Sequence, residues 1–137
     1  MYDLITYILR SSRTIAVVGL SPRAERDSYE VAAYLQAHGY RIIPVNPNAR
    51  EILGEPCYPD LRAVPVPVDL VDVFRRAAET PAIAEAAVAV GAKALWLQLG
   101  IISEEAAAIA RRAGVSVVMD HCTMIEHQAR FGAKAMP

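Results

Sequence analysis

Short apolar runs recur along this chain, each stopped by glycine or a turn residue and followed by a segment whose apolar positions return every three or four residues. Thr14 to Gly19 reads as a first strand, and Ser28 to His38 as a helix with Val31 and Leu35 on one stripe, backed by Ala32 and ended at Gly39. Arg41 to Val45 is a second strand. It stops abruptly at Asn46-Pro47-Asn48, residues that favour turns by side-chain hydrogen bonding and by a fixed φ. Leu70 to Phe74 is a third strand; Thr80 then serves as cap with Pro81 in the first helical position, and Ile83, Ala87 and Val90 form a buried stripe up to Gly91. Ala94 to Leu97 is the fourth strand. Ser103 caps the next helix, with Glu104 and Glu105 at its positive end and Arg111 and Arg112 at its negative end before Gly114. Val115 to Met119 is the fifth strand, and Asp120 opens a polar corner before a last helix over Thr123 to Arg130. Two segments stand outside the alternation. Tyr2 to Leu9 is spaced for a helix that Asp3 can start, expected as a lid over a sheet edge. Glu51 to Pro67 carries Pro56, Pro59, Pro65 and Pro67, which leave room for no more than a short turn around Asp60 to Ala63.

Strand and helix alternating in this way predict one α/β domain over 1–137, a three-layer, Rossmann-like, doubly wound parallel sheet of about five strands with right-handed crossovers. The expected strand order is 3-2-1-4-5, because a nucleotide-type ligand needs a switch point beside the first strand.

Composition agrees with a sheet covered on both faces. Of the 137 residues 54% are hydrophobic, as strands apolar throughout require. No apolar run approaches the ~20 residues of a membrane-spanning helix. With Asp3 in the first turn and no charged leader, no secretory signal is expected; two distant cysteines, Cys57 and Cys122, make no disulfide framework. A cytoplasmic setting is expected. The net charge of −1 argues against nucleic-acid binding, which rests on clustered positive charge. The arginines are placed more tellingly than they are counted. Arg23 and Arg26 follow the first strand, Arg50 the second, and Arg75 and Arg76 the third, so that an anionic ligand is expected at that edge.

Where the first strand gives way to its helix, Gly19 to Ser28 reads either as an ordinary turn or as a pyrophosphate cradle of backbone N–H groups beside a positive helix end. The NAD fingerprint is incomplete. Gly19-Leu20-Ser21-Pro22 holds one glycine, and the second strand ends in Asn46-Pro47 instead of the acid that would take the ribose hydroxyls. No glycine-lysine-serine or -threonine sequence marks a Walker loop. Titratable groups gather at Asp120-His121-Cys122, with Glu126 and His127 beyond. Three readings of that corner stand: a polar cap with a small buried filler, a cysteine nucleophile near a helix start, or a metal site short of ligands. Cys57 reads as a loop residue packed on the sheet; Trp96 and Tyr29 could stack on a base, although Trp96 inside a strand reads as core.

Val-Val-Gly-Leu-Ser-Pro at 17–22, Val-Asn-Pro at 45–47, Glu-Ile-Leu-Gly at 51–54, Val-Asp-Val-Phe-Arg-Arg at 71–76, Gln-Leu-Gly at 98–100 and Val-Met-Asp-His-Cys at 118–122 complete a pattern. From about Thr14 to His127 the chain resembles the stand-alone CoA-binding domain family, whose fold also forms the N-terminal domain of the succinyl-CoA synthetase α subunit. The resemblance implies noncovalent binding of coenzyme A or an acyl-CoA, by a carrier, sensor or accessory subunit. It matches Gly19, Leu20, Ser21 and Pro22 to the pyrophosphate loop, with Arg23 and Arg26 beside it. Val45, Asn46 and Pro47 match the adenine end with Arg50 toward the 3′-phosphate, Phe74 and Arg75 the third-strand edge, and Leu97, Gln98, Leu99 and Gly100 the pantetheine side. Fewer loop glycines, Leu99 in place of an acid, and a missing phospho-histidine domain set ligase activity apart from CoA binding. The alternatives are an acyl-CoA-using enzyme with Cys122 or His121 at the thioester, and a redox-sensing NAD(H) module. The expected partners are the small-molecule CoA ligand and either a second copy in a homodimer or an acyl-CoA enzyme, with neither nucleic acid nor membrane.

Overall fold

A computed structural model gives the structure of the protein and describes residues 3–132. Five parallel strands form the sheet: β1 (Thr14–Val18), β2 (Arg41–Val45), β3 (Leu70–Val73), β4 (Ala94–Leu97) and β5 (Ser116–Val118). Five helices cover it: α1 (Leu4–Ser11), α2 (Asp27–Ala37), α3 (Thr80–Ala89), α4 (Glu104–Arg112) and α5 (Thr123–Phe131). The α/β doubly wound architecture is the expected one.

The strand order is not. β1 pairs with β2 on one side and β3 on the other, then β4 and β5 follow, so the order is 2-1-3-4-5 instead of 3-2-1-4-5. Pro44 explains where β2 lies. Its carbonyl accepts from Tyr58 N–H at 3.0 Å on the side away from β1, so its donorless nitrogen also faces outward. An edge strand tolerates that, whereas an interior strand would lose a ladder bond. β3, Leu-Val-Asp-Val, is buried at every position and takes the place next to β1. The chain therefore reverses direction between β1 and β3, which sets the switch crevice there.

Alternate side chains of each strand feed two cores. On one face Ile15, Val17, Leu70 and Trp96 meet Leu9 of α1 and Val31 and Leu35 of α2. On the other, Val71, Val73, Leu95 and Leu97 meet Ala84 and Ala87 of α3 and Ala106, Ala107 and Ala110 of α4. These alanines bring the helices close, so enlarging one would overpack the layer by about 1–3 kcal/mol.

Local expectations were met unevenly. Asp3 accepts from Ile5 N–H and Ser103 from Ala106 N–H as N-caps, and Asp60 caps a 3₁₀ turn at Leu61–Ala63. Thr80 is not a cap. Its hydroxyl donates to Ala77 O at 2.7 Å, closing a 3₁₀ turn, and Glu79 stands at the N-cap of α3. α1 is no edge lid: it lies in the same layer as α5, pinned by Arg130 donating to Asp3 at 2.8 Å, and the Tyr2 of its expected start lies outside the described residues. A hairpin, Glu51–Ile52 with Glu55–Pro56, interrupts the proline-dotted stretch; Leu53 and Gly54, both at positive φ, form its turn.

Candidate functional site

At the carboxyl edge β1 and β3 part, and Gly19 stands in the gap. Its N–H donates to Val45 O at 2.9 Å, and Phe74 N–H donates to Val18 O at 2.8 Å. With φ at +88°, a Cβ at Gly19 would lie 2.6 Å from Phe74 O and 2.7 Å from Arg75 Cδ. Glycine is required here for both conformation and space.

The following loop is braced by its own polar groups. Ser21 N–H donates to Ser28 Oγ at 3.0 Å, and Arg23 N–H to Ser21 Oγ at 3.1 Å. Leu20 is fully buried, and its carbonyl accepts from Asn46 Nδ2 at 2.9 Å, while Asn46 Oδ1 accepts from Asn48 N–H at 2.8 Å. Asn46 thus ties the end of β2 to the first loop. The amides of Gly19, Ser21 and Arg23, counted on for a cradle, are engaged inside the chain. What the loop offers an anion is the guanidinium groups of Arg26 and Arg75 and the start of α2, where no side chain caps the backbone. Arg23 is paired with Glu25 at 2.9 Å.

Three cavities open along this edge, and Arg75 lines all of them. One of about 260 Å³ lies between Val45, Pro47 and Leu61. The second, about 430 Å³, sits over Gly19, Ser21, Arg26 and Ser28. The third, about 520 Å³, runs past Phe74, Gln98 and Leu99 to Cys122, Met124 and Ile125. Of the sixteen site residues expected from sequence, Gly19, Ser21, Arg26, Val45, Pro47, Phe74, Arg75, Gln98 and Leu99 line these cavities. Leu20, Pro22, Arg23, Asn46, Arg50, Leu97 and Gly100 line none of the three. Leu97 is wholly buried in the α3–α4 core, and Gly100 N–H donates to Asp120 Oδ1 at 2.7 Å. Arg50 is exposed, and its carbonyl accepts from Cys57 N–H at 2.8 Å.

Charge at the junction is balanced in advance. Arg75 donates to Glu79 Oε1 from Nη2 at 2.7 Å and from Nε at 3.0 Å; Arg76 reaches Glu79 Oε2 at 3.3 Å. Those bonds, that from Arg75 foremost, hold the Glu79 carboxyl below its ordinary range. Any anion reaching Arg75 would have to compete with Glu79 for it.

Beneath the cavity at Phe74 and Gln98 lies a polar trio that sequence reading passed over. Asp72, in the middle of β3, is fully buried; Gln98 Nε2 lies 2.5 Å from its Oδ1 and 2.9 Å from Thr123 Oγ1, and Thr123 donates to Asp72 Oδ2 at 3.0 Å. Burial pushes the Asp72 carboxyl up to about 7 against the pull of those two hydrogen bonds. The signal was an acid inside an otherwise apolar strand. Pro59, Asp60, Leu61, Val31, Met124 and Ile125 were also missed, since apolar lining and apolar core look alike in sequence.

The polar corner disperses. His121 is exposed with Nδ1 2.7 Å from Met119 O, and its carbonyl accepts from the buried Trp96 indole at 2.8 Å. Glu126 pairs with Arg130 at 2.6 Å, and His127 is buried with Nδ1 2.7 Å from Tyr34 Oη. Among the described residues no group of three or more His, Cys, Asp and Glu side chains could hold a metal. Cys122 alone of this set lines a cavity, and burial raises its thiol, which opposes a thiolate. No helix of the described residues is long and apolar enough to cross a membrane.

The chain is similar to known proteins over most of its length. The chain is 42% identical over 123 residues to an uncharacterized protein, YneT, of Bacillus subtilis (strain 168), covering 90% of this chain and 91% of that one. A solved structure from Thermus thermophilus superposes with a TM-score of 0.90 at 35% identity, covering 96% of this chain and all of that one (100%). An ADP-forming acetate–CoA ligase of Archaeoglobus fulgidus is 28% identical over 120 residues; the match takes in 80% of this chain but only 18% of the ligase. The family described as CoA binding domain matches residues 13–128, and the chain belongs to it.

Proposed function

We propose that this protein binds coenzyme A or an acyl-CoA noncovalently along the carboxyl edge of its sheet, as a carrier, sensor or accessory subunit. The observation that carries this reading is the run of three cavities joined at Arg75. An adenosine end, a diphosphate and a long neutral arm are three chemically distinct parts, and the edge offers a site suited to each. The slot at Val45 and Pro47 is apolar enough for adenine, and exposed Arg50 lies a few residues beyond for a 3′-phosphate. Arg26 and Arg75 suit the diphosphate, with Arg75 exchanging Glu79 for phosphate. The cavity past Phe74, Leu99 and Ile125 suits the arm.

NAD fits less well. The residue at the end of β2 is Asn46, whose side chain is already bonded to Leu20 and Asn48, so the strand end offers a ribose diol no carboxylate; Asp60 and Glu79, which line the slot, are engaged by the Ala63 N–H and by Arg75 and Arg76. The unpaired thiols Cys57 and Cys122 suit a reducing cytoplasm, and a second copy or an acyl-CoA enzyme is the partner proposed for this role.

Calorimetric titration with CoA, dephospho-CoA and NAD tests the reading. CoA is expected to bind, loss of the 3′-phosphate to cost about 1–3 kcal/mol through a lost charged hydrogen bond, and NAD to bind poorly. Equal affinity for all three, or none for CoA, overturns it.

A further inference from the structure

Gln98 lines the cavity at Phe74 and Cys122 with only 4% of its surface exposed, and its carboxamide rests on Asp72 and Thr123. Which end of the carboxamide faces down follows from counting protons. Thr123 Oγ1 carries one, and donates it to Asp72 Oδ2 at 3.0 Å. Toward Gln98 Nε2, 2.9 Å away, that hydroxyl can therefore only accept. Asp72 Oδ1, 2.5 Å from the same nitrogen, takes its second N–H. The N–H₂ end fills both places, whereas the carbonyl end would leave the contact with Thr123 without a proton, whatever the charge on Asp72. Oε1 is thus turned away from the trio. It bonds no other group of the described residues, and the one sealed side-chain N or O atom among them that lacks a partner is His127 Nε2. Gln98 Oε1 therefore opens into the cavity that its residue lines.

We propose that Gln98 Oε1, held in place by Asp72 and Thr123, is a specificity-determining acceptor that takes the N–H of an amide in the ligand's arm. This recognition rests on the CoA reading of the cavity, and it adds the feature of the arm that is read. The rest of the wall calls for a neutral donor. Val31, Phe74, Leu99, Met124 and Ile125 make it largely apolar. Of its charges, Arg75 and Arg76 are engaged by Glu79, and Asp27 and Glu30 stand exposed on α2. A carbonyl oxygen covered by an apolar arm would lose its solvent and gain nothing in return. An ammonium covered there would be a buried charge that a neutral oxygen cannot balance. The arm of CoA carries two amide N–H groups, and either one satisfies the oxygen without burying a charge.

The test measures the affinity of the wild type, Gln98→Met, Thr123→Ser and Thr123→Val for CoA and for two analogues in which one amide or the other is replaced by an ester, which keeps the shape and lacks the N–H. Wild type is expected to bind one of the two esters about tenfold more weakly than CoA, because the acceptor is then buried unmet. Gln98→Met, with no acceptor, binds that ester and CoA alike. Thr123→Ser keeps the hydroxyl and with it the discrimination, whereas Thr123→Val loses most of the discrimination while CoA still binds. A merely structural role would weaken every ligand by the same factor. Two esters that bind wild type as CoA does, or discrimination that persists in Gln98→Met, overturn the proposal, and undiminished discrimination in Thr123→Val overturns the positioning by Thr123. Failure of CoA itself to bind wild type overturns the CoA reading, and this recognition with it. Should the variants not fold, carbon NMR of the wild-type protein decides. The Gln98 side-chain carbonyl carbon must move downfield with CoA and not with the disfavoured ester, and equal shifts with all three ligands overturn the proposal equally.

Discussion

At Gly19 a methyl group would sit 2.6 Å from the Phe74 carbonyl oxygen, on a backbone with φ at +88°. Gly91, at φ +76°, has nothing within 4 Å of the same position, so there alanine meets strain without crowding. Gly19→Ala must therefore push Phe74 and Arg75 aside as well as adopt a disfavoured conformation. The expected destabilisation is at least about 1–3 kcal/mol, with CoA affinity reduced about tenfold because Arg75 is displaced. Urea unfolding and calorimetry of the two alanine variants check this, and a Gly19→Ala protein that binds CoA like Gly91→Ala contradicts it. Gly19 was legible in the sequence as the end of an apolar run. Its crowding was not, because the residues that crowd it come from a strand more than fifty positions away. Leu20 and Leu97 show the reverse case: at a strand's end nothing in a sequence says toward which face a leucine turns, and both turned into the core.

Helices and strands were legible because each had its own local grammar of apolar period, cap and stop. The hairpin at Glu51–Pro56 lacked one, as its turn residue Leu53 takes a conformation that sequence assigns to glycine or asparagine. Pro44 did carry information about sheet order, through the hydrogen bond it cannot make. Where β3 packs against α5, two buried groups, Asp72 of the strand and His127 of the helix, set opposite pH slopes. Asp72 has its pKa raised from the ordinary carboxylate range to about 7, so the stability it contributes is full below about pH 4 and is lost as pH rises through about 7. His127 has its pKa lowered by burial, so the stability linked to its neutral form is full above about pH 6.5 and is lost as pH falls below that value. Urea unfolding at stepped pH should then show that Asp72→Asn flattens the curve between about pH 4 and pH 7, by as much as a few kcal/mol. His127→Phe should flatten only its acid side. Variant curves parallel to the wild type would refute both assignments.

Across the whole molecule, position in the sheet decides what the ends of the strands can do. With β3 beside β1, the crevice opens between Gly19 and Phe74, and the end of β4 contributes through Gln98 and Leu99 rather than through Leu97. The alternation of elements made the fold class readable and the carboxyl edge the place to look. It left the observed strand order unread, and with it the way the edge divides into three cavities around Arg75. Saturation with CoA at a hundredfold excess over Kd is expected to add about 2.7 kcal/mol to stability.

Tyr58 gives that last figure a local address. Its N–H and carbonyl hold the outer rim of β2 through Pro44 and Asn46, and the next residues, Pro59, Asp60 and Leu61, wall the smallest cavity. Fraying of the sheet's border would therefore loosen the wall of that cavity as well. Deuterium uptake at the amides of Tyr58 and Asn46 should slow together when the coenzyme is added, while the amides of α4 on the far side keep their rates. A ligand seated in that cavity would brace the edge strand from outside, through the segment that follows Tyr58.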